Sequence, residues 1–288
     1  MNRQVALITW AGLPHGAESE QLLLPLLATR GVDARMVDWR DASVGFNQFD
    51  LVVLRSCWDY HLHAQEFTEW LHRTKRMAPI LNDVDTVLWN SNKFYLRELE
   101  KKGIQIAPTY FVSGDKRVRE GRPVEMESWE RVVVKPAISA SAYQTRVFER
   151  ERMLSMDALA ELMPGADFLV QQFVPEIQTK GEISFIYVDG AYSHAVCKRP
   201  APGDFRVQQE HGGTAELVDP PDSLLQQAHE MADQVPEVSW SLYCRLDAVA
   251  RNGKLILMEL ELIEPELFLG LADDAAETFA RAIVRRMG

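Results

Sequence analysis

Apolar and polar positions along this chain change period from one segment to the next. Residues 4–10 (QVALITW) form a short apolar run bounded by Gly12-Leu13-Pro14, which predicts a buried strand. Residues 19–30 carry apolar side chains at helical spacing, with Gly31 as a stop. Residues 33–38 (DARMVD) and 49–54 (FDLVVL) predict two more strands, and residues 66–75 a further helix. Strands alternating with helices predict a parallel α/β sheet, in which ligands bind beyond the carboxyl ends of the strands.

After residue 93 the pattern changes. A helix is predicted over 94–102, stopped by Gly103, then strands over 108–112, 132–136 and 146–148. Residues 116–127 are polar and predict a surface loop; residues 156–163 predict a helix ending at Pro164-Gly165. A strand over 168–175 follows. Residues 181–188 (GEISFIYV) turn at Asp189-Gly190 into 191–197. A helix over 223–234 precedes a strand starting near Trp240, and residues 275–286 predict an amphipathic helix. There are no internal repeats.

The stretch 245–269 organises the rest. Apolar runs at 246–250 and 255–263 flank Arg251-Asn252-Gly253-Lys254, and Asn-Gly between such runs predicts a hairpin. In a strand, residues two apart share a face. Glu259 and Glu261 therefore point one way, and Met258, Leu260 and Leu262 the other. Folding about Asn252-Gly253 brings Asp247 opposite Met258 or Glu259. Three crowded carboxylates cost stability unless a cation sits between them. A hard divalent ion wants such an oxygen cluster, and Mg²⁺ typically brings a phosphate with it. A solvated acidic face on an edge hairpin is the alternative, of equal weight from this stretch alone.

The length of 288 residues allows two domains, or one domain with a lid. A formal net charge of -11 without a basic stripe argues against a nucleic-acid or anionic-membrane partner. Cys57, Cys197 and Cys244 are widely spaced among apolar neighbours, as expected of reduced core thiols in a cytoplasmic protein. No Cys/His spacing points to zinc. No charged leader precedes a long apolar run, so no signal peptide is expected, and no apolar run approaches the ~20 residues of a membrane span.

Four segments carry candidate chemistry. Arg55-Ser56-Cys57-Trp58-Asp59-Tyr60 lies at a predicted strand end and is a substrate-site candidate; the alternative is that Trp58 and Tyr60 pack over the sheet while Arg55 and Asp59 pair. Asn90 or Ser91 is a good helix cap, which puts Lys93 in a first turn, where it either faces solvent or meets an anion. The strand ending at Lys135 runs into a loop of small and hydroxylated residues, 137–145, of the kind that lets backbone N–H groups approach phosphate. That loop has no glycine, and a plain hairpin is the alternative. Lys198, Arg199 and Arg206 then gather three cations ahead of Gly212-Gly213.

In this order the motifs resemble the ATP-grasp superfamily over essentially the whole chain, in the branch of glutathione synthetase and the RimK-type ligases. The similarity is greatest to the cyclo-ligases of D-cycloserine biosynthesis, carried by residues 55–60, 89–93 and 198–206. The resemblance implies an α/β fold with an N-terminal parallel domain (1–90), a small lid (91–172) and a C-terminal antiparallel domain (173–288) carrying the metal site. Lys93 and Lys135 look like the lysines that hold the α- and β-phosphates. Residues 138–145, with Ser139 and Ser141, match the loop that closes over the triphosphate. Gln171, Gln172, Phe173 and Val174 match the segment that reads adenine, and Glu182 the acid for the ribose. Arg199 and Arg206 fall where cations contact the γ-phosphate and acyl-phosphate, with Lys198 a third catalytic candidate. Asp247, Glu259 and Glu261 match the metal positions. Gly212 and Gly213 match a glycine pair near the acceptor, and Arg55, Ser56, Trp58 and Asp59 complete the expected substrate site. The chain departs from the pattern in its glycine-free loop, in Ser184 where an arginine is usual, and in Glu261 where an asparagine is usual.

The activity so implied is ATP- and Mg²⁺-dependent (Mn²⁺ as a substitute), ADP-forming amide synthesis through an acyl-phosphate, on a small amino-acid-like substrate. Intramolecular ring closure is the favoured subtype. An intermolecular peptide ligase and a catalytically silent ATP-binding regulator are the alternatives. A homodimer without nucleic-acid or membrane partners is expected.

Overall fold

The computed structural model describes residues 3–114, 128–149, 158, 161 and 163–288. The expected loop 116–127 and most of the expected helix 156–163 lie outside the described residues.

The first sheet is parallel. β1 (Arg3–Thr9) lies between β2 (Val32–Asp38) and β3 (Leu51–Leu54), and β4 (Ile80–Leu81) extends it in the order β2-β1-β3-β4. All four residues of β3 are buried, as a strand covered on both faces requires. The helix expected over 19–30 is divided into Glu18–Gln21 and Leu23–Ala28. Pro25 has no N–H to offer the carbonyl of Gln21, so one continuous ladder cannot form. Helix Ala64–Lys75 buries Phe67, Trp70 and Leu71 against Trp39 and Phe46.

A helix that the apolar periodicity had not suggested follows at Val84–Ser91. The Asp83 carboxylate caps it by accepting from the Asp85 N–H. Asn90 and Ser91 therefore close this helix rather than cap the next one, which spans Tyr95–Lys101.

The second sheet is antiparallel, in the order β5-β8-β6-β7, from β5 (Thr109–Val112), β6 (Arg131–Pro136), β7 (Arg146–Glu149) and β8 (Phe168–Gln172). The third is also antiparallel, in the order β11-β10-β9-β12-β13. Its strands are β9 (Glu182–Val188), β10 (Ala191–Arg199), β11 (Thr214–Val218), β12 (Tyr243–Arg251) and β13 (Lys254–Glu261). Trp240 ends a short helix, Pro236–Trp240, instead of opening a strand. Helix Ala275–Arg286 joins the first and third sheets: Phe279 and Ile283 share a core with Leu7, Leu23, Ile186 and Tyr243.

The turn of the organising hairpin has φ 52° at Asn252 and 75° at Gly253, the pair of left-handed residues a tight hairpin demands. Asp247 pairs with Glu259 and Arg245 with Glu261. Two asparagines from the N-terminal half hold its backbone. Asn90 Nδ2 donates to the Leu260 carbonyl at 2.8 Å, and its Oδ1 accepts from the Leu262 N–H at 2.9 Å. Asn82 Nδ2 donates to the Tyr243 and Leu262 carbonyls at 2.9 and 2.8 Å. The carboxylate-bearing end of β13 is thus covered, and its acids do not form a solvated edge.

Candidate active site

The covered end of the hairpin faces a cavity of about 810 Å³ lined by the second and third sheets and by the segments that follow β1 and β3. That volume suits a ligand of nucleotide size. Lys135 reaches it from the end of β6, and its Nζ donates to Glu259 Oε1 at 3.0 Å. Lys93 sits just before helix Tyr95–Lys101, not in its first turn. Its backbone N–H donates to the Ala137 carbonyl at 2.8 Å and its Nζ to the Ser139 carbonyl at 2.6 Å, with Glu259 Oε1 3.8 Å away. These contacts tie the loop after β6 to the lysine. Burial would raise Glu259, but Lys93 and Lys135 prevail and hold it at about 2.

Asp247 is surrounded by donors. Ser184 Oγ donates to it at 2.5 Å, Lys198 Nζ at 2.9 Å and Arg245 Nη2 at 2.9 Å. Against burial, Arg245 and Lys198 hold its carboxyl well below the usual range. Arg245 also bonds Glu261. Burial, with Asp247 and Glu259 nearby, still pushes Glu261 up to about 7. Lys198 closes the network on Glu182 at 2.6 Å.

The four carboxylates Asp247, Glu259, Glu261 and Glu182 are thus matched by the four cations Lys93, Lys135, Lys198 and Arg245. Among the described residues no group of three or more His, Cys, Asp or Glu side chains forms a ready metal cage. Both oxygens of Asp247 are engaged by Ser184, Lys198 and Arg245. Glu259 and Glu261 are partly exposed to the cavity. Two carboxylates open to the cavity form an all-oxygen donor pair that fits a hard divalent cation at Glu259 and Glu261, with Asp247 behind them orienting Arg245 and Lys198.

The cavity also has an apolar part, lined by Val133, Phe173, Ile177, Phe205 and Met258. The Arg131 guanidinium lies 3.8 Å from the Phe173 ring centre, and Phe205 meets that ring edge-on at 6.4 Å. Gln171, Gln172 and Val174 line it beside Phe173 as β8 ends, and Ser139, Ser141, Glu182 and Arg206 are on its wall. The loop after β6 holds Ser141, Ala142 and Gln144 at positive φ without glycine. Its Tyr143 ring lies 5.0 Å from His61.

Several expected site residues are elsewhere. Arg199 projects to the surface, where it pairs with Glu216, because neighbouring residues of a strand point to opposite faces and Lys198 takes the inner one. Arg55 is fully buried: it pairs with Glu20 at 3.3 Å and donates to the Pro265 carbonyl at 2.9 Å. Ser56 donates to the same Glu20 at 2.7 Å, and Asp59 accepts from Trp39 Nε1 at 2.8 Å. The expected substrate loop lies beneath the wall except for Trp58 and Tyr60, which line the cavity. Gly212 and Gly213 do not line it; a Cβ on Gly213 would meet the Val207 carbonyl at 2.2 Å, so the glycine serves the turn into β11.

A family described as D-cycloserine synthetase DcsG, N-terminal domain, matches residues 5–82. The cycloserine biosynthesis protein DcsG of Streptomyces lavendulae is 29% identical, over 92% of each chain. The crystal structure of D-cycloserine synthetase DcsG has a TM-score of 0.85 at 26% identity, covering 99% of this chain and 100% of that one. D-alanine–D-alanine ligase of Bacillus anthracis, complexed with ATP, has a TM-score of 0.67 at 14% identity, covering 98% of this chain and 95% of that one. The fold is that of the ATP-grasp ligases, and the enzyme class these likenesses support is a ligase that forms carbon–nitrogen bonds.

For an ATP-grasp ligase the least expected groups are Arg245, Ser184 and Glu264. Arg245 stands two residues before Asp247, and the two-residue period alone puts both on one face. Glu264 breaks that period, since β13 ends at Glu261 and the chain bends ahead of Pro265, so no spacing rule points to it.

Proposed function

We propose that this ATP-grasp ligase uses ATP and Mg²⁺ to activate the carboxylate of a small amino-acid-like molecule, and that an amine of the same molecule closes the amide bond. The observation that carries the reading is the convergence of Lys93 and Lys135 on Glu259, with Glu261 beside it, in a cavity of about 810 Å³. Two lysines on one carboxylate are a site that can exchange that carboxylate for phosphate oxygens. The loop after β6 presents Ser139 and Ser141 to the phosphates. Gln171, Gln172, Phe173 and Val174 offer an edge and a ring to the adenine, and Glu182, steadied by Lys198, an acceptor to the ribose.

Glu259 and Glu261 would hold Mg²⁺, or Mn²⁺ in its place, which would supply charge neutralisation for the transferring phosphoryl group. Arg206, on the cavity wall and paired with Asp204 at 2.7 Å, would meet the acyl-phosphate. A substrate carboxylate oxygen takes the γ-phosphoryl group and ADP leaves. The amine nitrogen then bonds to the acyl carbon, loses a proton and expels inorganic phosphate. The protein's part is positioning and charge neutralisation. Ring closure is favoured over peptide synthesis by the similarity to DcsG across 92% of both chains.

The roles divide over three units, 1–90, 91–172 and 173–288, in a cytoplasmic homodimer. No described helix is long and apolar enough to cross a membrane. The test is ADP release, with Mg²⁺, against a panel of small amino-acid derivatives, followed by heavy-oxygen labelling of the active compound's carboxylate. One labelled oxygen per turnover should appear in inorganic phosphate. AMP in place of ADP, or label held wholly in the amide and water, overturns the reading.

A further inference from the structure

Five cations line the described cavity, and each already has a carboxylate. Lys93 and Lys135 face Glu259, Lys198 faces Glu182 and Asp247, Arg206 faces Asp204, and Arg245 faces Asp247 and Glu261. One buried acid on the same wall has no such partner. Glu264 is only 8% exposed, it lines the cavity, and no described cation comes within ion-pair distance of it. Among the described residues its carboxyl accepts from its own backbone N–H alone. Burial, with Glu261 near, pushes it up to about 8. A carboxyl kept out of water without a partner is a standing cost.

The walls around Glu264 say what would relieve that cost. Trp58 and Tyr60 line the same cavity, and Trp58 Nε1 donates to the Glu264 carbonyl at 3.0 Å. Ser19 also lines the cavity, and its buried Oγ has no hydrogen-bond partner. An unpaired buried acid beside aromatic side chains, in a cavity that also holds a free hydroxyl, suits a compact organic cation through charge pairing and an N–H acceptor. A second carboxylate or a phosphate would find no free positive charge there.

We propose that Glu264 binds the ammonium group on the substrate's α-carbon, a nitrogen other than the one that closes the ring, and thereby selects amino acids over other carboxylic acids. This rests on the ligase reading above, since it supposes that the carboxylate of the same molecule is the one activated. Glu264 is then a specificity residue rather than one of the groups that handle phosphate.

The experiment compares ligands that differ in one group. Binding of alanine, of propionate, which lacks the amine, and of ethylamine, which lacks the carboxylate, is measured by ligand-observed NMR on the full-length protein loaded with Mg²⁺ and a non-hydrolysable ATP analogue. Alanine should bind at least about tenfold tighter than propionate, and ethylamine should compete with it. Glu264→Gln should erase that preference and leave nucleotide affinity unchanged. Propionate binding as well as alanine to the wild type, a comparison that needs no folded variant, overturns the proposal. So does an alanine preference that survives Glu264→Gln. Failure of the nucleotide analogue to bind would instead overturn the ATP-dependent reading, and the alanine–propionate comparison on nucleotide-free protein would still decide the role of Glu264.

Discussion

Arg55–Glu20 and Lys135–Glu259 are both ion pairs of about 3 Å reached from strand ends, yet they serve opposite ends. The first is sealed. Arg55 has no exposure and Glu20 has 1%, and the Ser56 hydroxyl, the Ala17 N–H, the Pro265 carbonyl and the Tyr243 ring complete the shell. The second is open on one side, where Glu259 keeps 27% of its side-chain surface facing the cavity. Burial raises Glu20 despite Arg55, whereas two lysines lower Glu259 despite burial. A sealed pair can only hold elements together. An open pair with surplus cations can give up its acid to an arriving anion. Charge at a strand end therefore marks a ligand site only where the surrounding chain leaves a way in.

The largest effect that can break this contrast is on Arg55. Arg55→Ala leaves Glu20 buried and unpaired and should cost about 3–5 kcal/mol in urea unfolding. A loss below about 1 kcal/mol would show that the pair is not the structural bond inferred. Lys135→Ala should do the reverse. Nucleotide affinity by calorimetry should fall by about 1.5–3 kcal/mol, roughly 10- to 150-fold, with a smaller change in unfolding. An unchanged affinity would mean that the open pair is not a phosphate site.

Glu264 sharpens the comparison through pH. Its folded value, about 8, lies above the unfolded 4.5, so between these the native state binds the extra proton. Its contribution is fully present below about pH 4.5 and is lost as pH rises through about 8. Glu264→Gln should flatten that decline and raise stability at pH 8 by roughly 1 kcal/mol or more, read from urea midpoints at pH 5 and pH 8. Equal slopes in both proteins would mean that the carboxyl is not held neutral. The smallest effect belongs to Arg199. Arg199→Ala should change stability by under about 0.5 kcal/mol and leave nucleotide affinity within twofold, because its pair with Glu216 is exposed. A tenfold loss of affinity would return Arg199 to the cavity.

The chain by itself determined a good deal. The Asn252-Gly253 hairpin, the shared face of Glu259 and Glu261, the buried strands β1 and β3 and the small-residue loop after Lys135 all follow from local rules of period and turn chemistry. Those rules act over a few residues, which is why they can be read without knowing where the chain goes next. Only the tertiary structure decided which charged groups are sealed and which are open. Lys198 and Arg199 are adjacent in sequence, and the faces of β10 separate them. Arg55 looks like a ligand group until Glu20 and Pro265 close over it from elsewhere in the chain. The partners of Asp247 come from β9, β10 and β12 at once. Exposure and charge compensation are sums over distant segments, and no local period encodes such a sum.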